Sequence, residues 1–128
     1  MGPELFLSML TQVREWIGTL SQAEAQDNQQ TRAALQSVTF AATETRAYIA
    51  LTRDQPAARN REKEVALAHL WERAGIDIYQ INRDLAERCL LKADFWSDPQ
   101  GWTLAEKDDS RIRLDELSAE ARSLLLGY

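Results

Sequence analysis

Residues 31–52, TRAALQSVTFAATETRAYIALT, set Thr31, Leu35, Val38, Ala42, Thr45, Ile49 and Thr52 at alternating spacings of four and three. That period gathers them on one face of an α-helix, whereas a strand would scatter them over both of its faces. The seam is rich in Ala and Thr, with Ala34, Ala41 and Tyr48 beside it, so neighbouring helices can approach closely. A coiled coil built on this face alone would be weak, because the seam offers little apolar volume. Upstream, Ser21-Gln22-Ala23-Glu24 has the spacing of a capping box, which predicts one long helix over about 22–53.

The flanking segments repeat the helical period. Pro3 suits a first helical turn, and Phe6, Met9/Leu10, Val13, Trp16/Ile17 and Leu20 make the stripe of a helix over about 4–20. Downstream, Pro56 disfavours helical geometry at Gln55, and Asn60 is a good N-cap for a helix that turns Val65, Leu67, Leu70/Trp71 and Ala74 inward. At Gly75 and the run Ile76–Ile81 that helix either bends or ends. Asn82 caps a further helix with Leu85, Cys89, Leu90, Ala93 and Trp96, and Asp98-Pro99-Gln100-Gly101 marks a turn. After a second capping box at Thr103-x-x-Glu106, a final helix over about 110–126 buries Ile112, Leu117, Ala121 and Leu124/Leu125 and stops at Gly127. The expectation is an all-α protein, a compact antiparallel bundle of four to five helices forming one domain over residues 1–128.

Composition agrees with that class. The chain is 45% apolar and 27% charged, which excludes a disordered tail or a membrane protein, and its 5 Gly and 3 Pro are too few for the turns of a β-sandwich. Fifteen basic against 20 acidic residues give a net charge of -5, which disfavours general nucleic-acid binding. Most of the surplus lies in residues 65–128, with 8 basic and 12 acidic side chains. A lone Cys89 and a lone His69 form neither an intrachain disulfide nor a zinc site of the usual ligand count. The apolar opening, Leu5 to Leu10, lacks a basic flank and is interrupted by Arg14 and Glu15, so it reads as a helix rather than a signal or a membrane span. These features point to the cytoplasm.

Two carboxylate pairs at helical spacing, Asp84-x-x-Glu87 and Glu106-x-x-Asp109, have 18 residues between them. Such pairs, projecting from facing helices, can hold Mg²⁺. The layout resembles the Glu-x-x-Glu and Glu-x-x-Asp motifs of the all-α nucleoside triphosphate pyrophosphohydrolases over those four positions, with Asp84 standing where that family has Glu. The resemblance implies Mg²⁺-dependent hydrolysis of a phosphorylated nucleotide. The competing reading is a solvated acidic helix face. RNA-cleaving helical bundles of the HEPN type place Arg and His four to six residues apart on one helix; here Arg61 and His69 have seven residues between them, which misses that spacing. His69 reads as a boundary histidine and Cys89 as a small buried hydrophobe.

The remaining features concern recognition. Arg53, Arg59, Arg61 and Lys63 surround the Pro56 loop and can either grip a phosphate or an acidic partner, or pair locally with Asp54, Glu62 and Glu64. Phe95, Trp96 and Trp102 frame the Asp98–Gly101 turn; Trp96 continues the core stripe, and Trp102 is either a staple on the bundle or an exposed anchor. Leu124-Leu125-Leu126 and Tyr128 exceed what one stripe can hide. Together these favour a protein-interaction module, self-associating or a subunit of a complex, with no cofactor and no chemistry of its own. In that reading Trp102 fills a partner pocket, Leu126 and Tyr128 extend the contact, and Arg53, Arg59 and Arg61 orient it from the rim. The Mg²⁺-dependent hydrolase is the alternative, and an RNA-contacting regulator using the Arg53–Lys63 cluster is a second one.

Overall fold

A computed structural model describes residues 3–91 and 102–127. These form a bundle of six α-helices, four of them long, with no strands among the described residues. The helices are α1 (Pro3–Gly18), α2 (Gln22–Asp27), α3 (Gln29–Asp54), α4 (Arg61–Tyr79), α5 (Arg83–Leu85) and α6 (Leu104–Leu126). A short 3₁₀ turn, Pro56–Ala58, joins α3 to α4, and a π-helical turn, Ala86–Leu90, continues α5. No helix among the described residues is long and apolar enough to cross a membrane.

The expected seam is the centre of the core: Thr31, Leu35, Val38, Ala42, Thr45, Ile49 and Thr52 are all buried. The single helix expected over 22–53 is divided. Asn28 adopts an extended backbone (φ -93°, ψ 111°), and its side chain accepts a hydrogen bond from the Thr31 amide at 3.0 Å, capping α3 and ending α2. The helix after Asn60 does not end at Gly75 but runs on to Tyr79. Gly75 serves a different need: a Cβ there would lie 3.1 Å from Leu90 Cβ and 3.0 Å from Leu91 Cδ2, so its hydrogen lets the π-helical turn close onto α4.

Two inward assignments fail by register. Val65 is exposed, and the buried stripe of α4 is Glu64, Leu67, Trp71, Ala74 and Ile78. Ile112 is 58% exposed. The Thr103 capping box starts α6 at Leu104 rather than near 110, and the stripe that follows is Lys107, Ser110, Leu114, Leu117 and Ala121. The helix ends as expected at Gly127, whose φ of 82° is the left-handed cap geometry. Ala93 and Trp96, expected in the core, and the turn at 98–101 lie outside the described residues, as does the side chain of Cys89.

Directions follow from the side-chain pairs. Ser37–Asp77, Thr45–Trp71 and Tyr48–Glu64 set α3 antiparallel to α4, and Arg46–Asp115 and Arg53–Asp108 set it antiparallel to α6. The outer pair differs. Thr11–Arg113 and Arg14 with Glu116 and Glu120 lay α1 beside α6 in the same direction, so the bundle is not antiparallel throughout. At its heart Phe6 meets Trp71 edge-on at 6.0 Å between ring centroids and stacks on Trp102 at 5.5 Å.

Candidate functional site

The parallel packing of α1 on α6 leaves a groove of about 610 Å3 between them. Ile112 supplies its apolar surface over a floor at buried Leu10, and Arg14, Glu15, Asp109, Arg113, Glu116 and Glu120 supply its charged margin. A second cleft of about 270 Å3, with Ile17, Leu20 and Leu124, shares Gly18 and Glu120 with the first, so the two adjoin. Gly18 lies in the middle, and a Cβ built there meets nothing within 4 Å. That space is open because α1 ends at Gly18 while α6 runs on beside it.

The margin is partly self-neutralised. Arg14 donates from Nη1 to Glu116 at 2.5 Å and from Nε to Glu120 at 3.0 Å, and the Glu120 carboxylate above all raises its pKa further. Arg113 donates to Asp109 at 3.2 Å and to the Thr11 hydroxyl at 2.8 Å. Among the described residues Glu15 has no cationic partner. Two arginines thus face four carboxylates, which leaves the groove acidic.

The four carboxylates of the expected Mg²⁺ site are each engaged separately. Asp84 takes Arg88 at 2.7 Å and Glu87 takes Arg83 at 3.1 Å, both one turn along the same helical segment. Glu106 reaches back to the Thr103 amide at 2.7 Å, and Asp109 holds Arg113. Among the described residues no three or more His, Cys, Asp or Glu side chains are gathered where they could hold a metal ion. The spacing that resembles the pyrophosphohydrolase motifs is here that of helix-face ion pairs and a helix cap.

The expected partner-binding set is dispersed. Trp102 is only 5% exposed and stacks on Phe6, so it clamps the start of α6 onto the core and cannot enter a partner's pocket. Leu126 is 60% exposed. It stands at the opposite end of α6 from Asp108, where Arg53 is bound, about 27 Å away at 1.5 Å per residue. Tyr128 lies outside the described residues. Arg53 is held by the Asp108 carboxylate, with contacts of 2.5 and 3.1 Å, and this bidentate pair lowers the Asp108 pKa below its ordinary range.

Arg59 and Arg61 lean on a buried carboxylate from the surface. Both lie 3.4 Å from Glu64, which is fully buried and accepts a 2.6 Å hydrogen bond from the Tyr48 hydroxyl. Tyr48 Oη accepts in turn from the Asn60 amide at 3.1 Å. Burial first, and the carboxylate second, push the Tyr48 hydroxyl pKa up. This network latches the loop between α3 and α4 to the bundle, while the Arg59 and Arg61 side chains stay exposed at its surface. The sequence carried a signal for Glu64: it falls in register with Leu67, Trp71, Ala74 and Ile78. For the groove the signals were weaker, namely Gly18 between Ile17 and Leu20 and the four-residue spacing of Glu116 and Glu120, which matches the two-fold grip on Arg14.

Fold and groove together define a small helical bundle with a lined interhelical cleft. No known protein family, curated protein or solved structure matches the chain.

Proposed function

We propose that this chain is a helical protein-interaction module of the cytoplasm, without chemistry of its own, that works as a homo-oligomer or as a subunit of a larger complex. The α1–α6 groove carries the reading, because it leaves an open apolar surface with Ile112 58% exposed inside a charged margin, the composition of a contact site. The lone cysteine favours a reducing compartment. Leu126, exposed beyond the second cleft, can extend the contact.

The test is a photo-crosslinking residue at position 112, expressed in cells. A discrete adduct that is lost when Gly18→Trp fills the groove is the expected result. No adduct, or the same adducts from a probe at exposed His69 on α4, would refute the reading.

A further inference from the structure

We infer that the occupant of the α1–α6 groove is a basic amphipathic helix of another protein, about four turns long; this rests on the groove being the contact site. The shape selects a helix. From Asp109 to Leu124 the two clefts follow α6 for 15 residues, about 22 Å at 1.5 Å per residue. The first cleft is walled by the ridges of α1 and α6 running in the same direction, into which a third helix packs ridge into groove, and beyond Gly18 the second is bounded by α6 and the turn that carries Leu20. No strand edge is present among the described residues to recruit an extended segment.

Charge selects a basic partner. Ile112, 58% exposed, with half-buried Leu20 and Leu124, gives apolar contact points for one face of the incoming helix, above a floor of buried Leu10 and Ile17. Beside them Glu15 has no cationic partner among the described residues, and Glu116 and Glu120 share the single cation of Arg14. Lysine or arginine flanking the apolar face would meet those carboxylates, whereas acidic residues would add like charge to a margin already carrying two surplus negatives. A second copy of the chain fits less well, since it brings its own net charge of -5.

The probe is a fluorescein-labelled, about fifteen-residue Leu/Lys peptide with leucines at helical spacing, titrated with the full chain and followed by fluorescence anisotropy. Three controls accompany it: a scrambled peptide of identical composition, a Leu/Glu counterpart, and light scattering of the protein alone. The Leu/Lys peptide should bind, its affinity should fall as salt is raised, and Gly18→Trp and Ile112→Asp should each weaken it by about tenfold or more. Gly18→Trp places its Cβ in open space, and circular dichroism checks that both variants remain helical. Equal binding of the scrambled peptide, preference for the Leu/Glu peptide, or unchanged affinity in both groove variants overturns the inference. A dimer of the protein alone that Gly18→Trp dissociates assigns the groove to a second copy and overturns it too. If the peptide results fail while the position-112 adduct persists and depends on Gly18, the interaction module stands and only the class of partner falls. If the adduct is also absent, both fall.

Discussion

Replacing Tyr48 by Phe removes one oxygen atom from the interior and leaves the ring that packs between α3 and α4. Two hydrogen bonds are lost: the 2.6 Å bond that the hydroxyl donates to Glu64, and the 3.1 Å bond it accepts from the Asn60 amide. Asn60 is exposed, so its amide passes to water at little cost. Glu64 is fully buried and keeps only the two arginine contacts at 3.4 Å, too long for strong charge-assisted bonds. A hydrogen bond to a charged group contributes about 1.5–3 kcal/mol, so Tyr48→Phe should destabilise the protein by about 2 kcal/mol. For a domain of this length that lowers the unfolding midpoint by roughly 6–10 °C. Urea unfolding with an unchanged slope is the assay, repeated in a Glu64→Gln background, where the same change should cost much less. The pH dependence gives an independent check. The folded-state pKa of Tyr48 is raised above its ordinary 10.0, so its contribution is fully present below pH 10 and is lost as pH rises through the folded value. Tyr48→Phe should therefore flatten the alkaline limb of the stability curve. A loss below about 0.5 kcal/mol, or an equal loss in both backgrounds, would refute the network as the latch of the loop.

Three further outcomes follow from the packing. Trp102→Ala should cost about 3–5 kcal/mol in urea unfolding, because it empties the space against Phe6, and it should leave peptide binding in the groove unchanged in whatever fraction stays folded; near-normal stability would return Trp102 to the surface. Gly75→Ala should destabilise by about 1–3 kcal/mol despite the better helix propensity of alanine, since Leu90 Cβ, 3.1 Å from the new methyl, cannot rotate away; a stabilised variant would mean that the π-helical turn yields freely. Asp108 has a folded pKa held below its ordinary 3.8 by Arg53, so its contribution is present above that value and is lost as pH falls through the folded one. Asp108→Asn should flatten stability against pH on the acid side, and an unchanged acid slope in urea titrations would show that the pair is not kept in solution.

Several elements were legible because a local rule governs them. The Thr31–Thr52 seam has an unbroken period, and at Asn60, Thr103 and Gly127 capping chemistry is written in the residue type. What escaped was register and competition between rules. Asn28 offered a cap within a polar stretch that fitted a continuing helix, and the cap won because its side chain satisfies the Thr31 amide. Val65 and Ile112 are apolar yet exposed, because the buried register falls one residue earlier on α4, at Glu64, and two residues earlier on α6, at Ser110. Hydrophobicity alone does not see that Glu64 can be buried, since its partners Tyr48, Arg59 and Arg61 come from two helices and a loop. The groove was hidden for a related reason. It exists only through the pairing of α1 with α6, and no local spacing encodes which helices become neighbours.

That pairing also sets the order in which the chain can complete itself during synthesis. Arg14 waits for Glu120, 106 residues later, which at about 5–20 residues per second is a delay of roughly 5–20 s. The α3–α4 hairpin, whose Tyr48 and Glu64 are 16 residues apart, is available for closure well before then. Until α6 emerges, the side of α1 that it covers stays uncovered on the nascent chain, a target for chaperones and proteases that the finished bundle no longer presents.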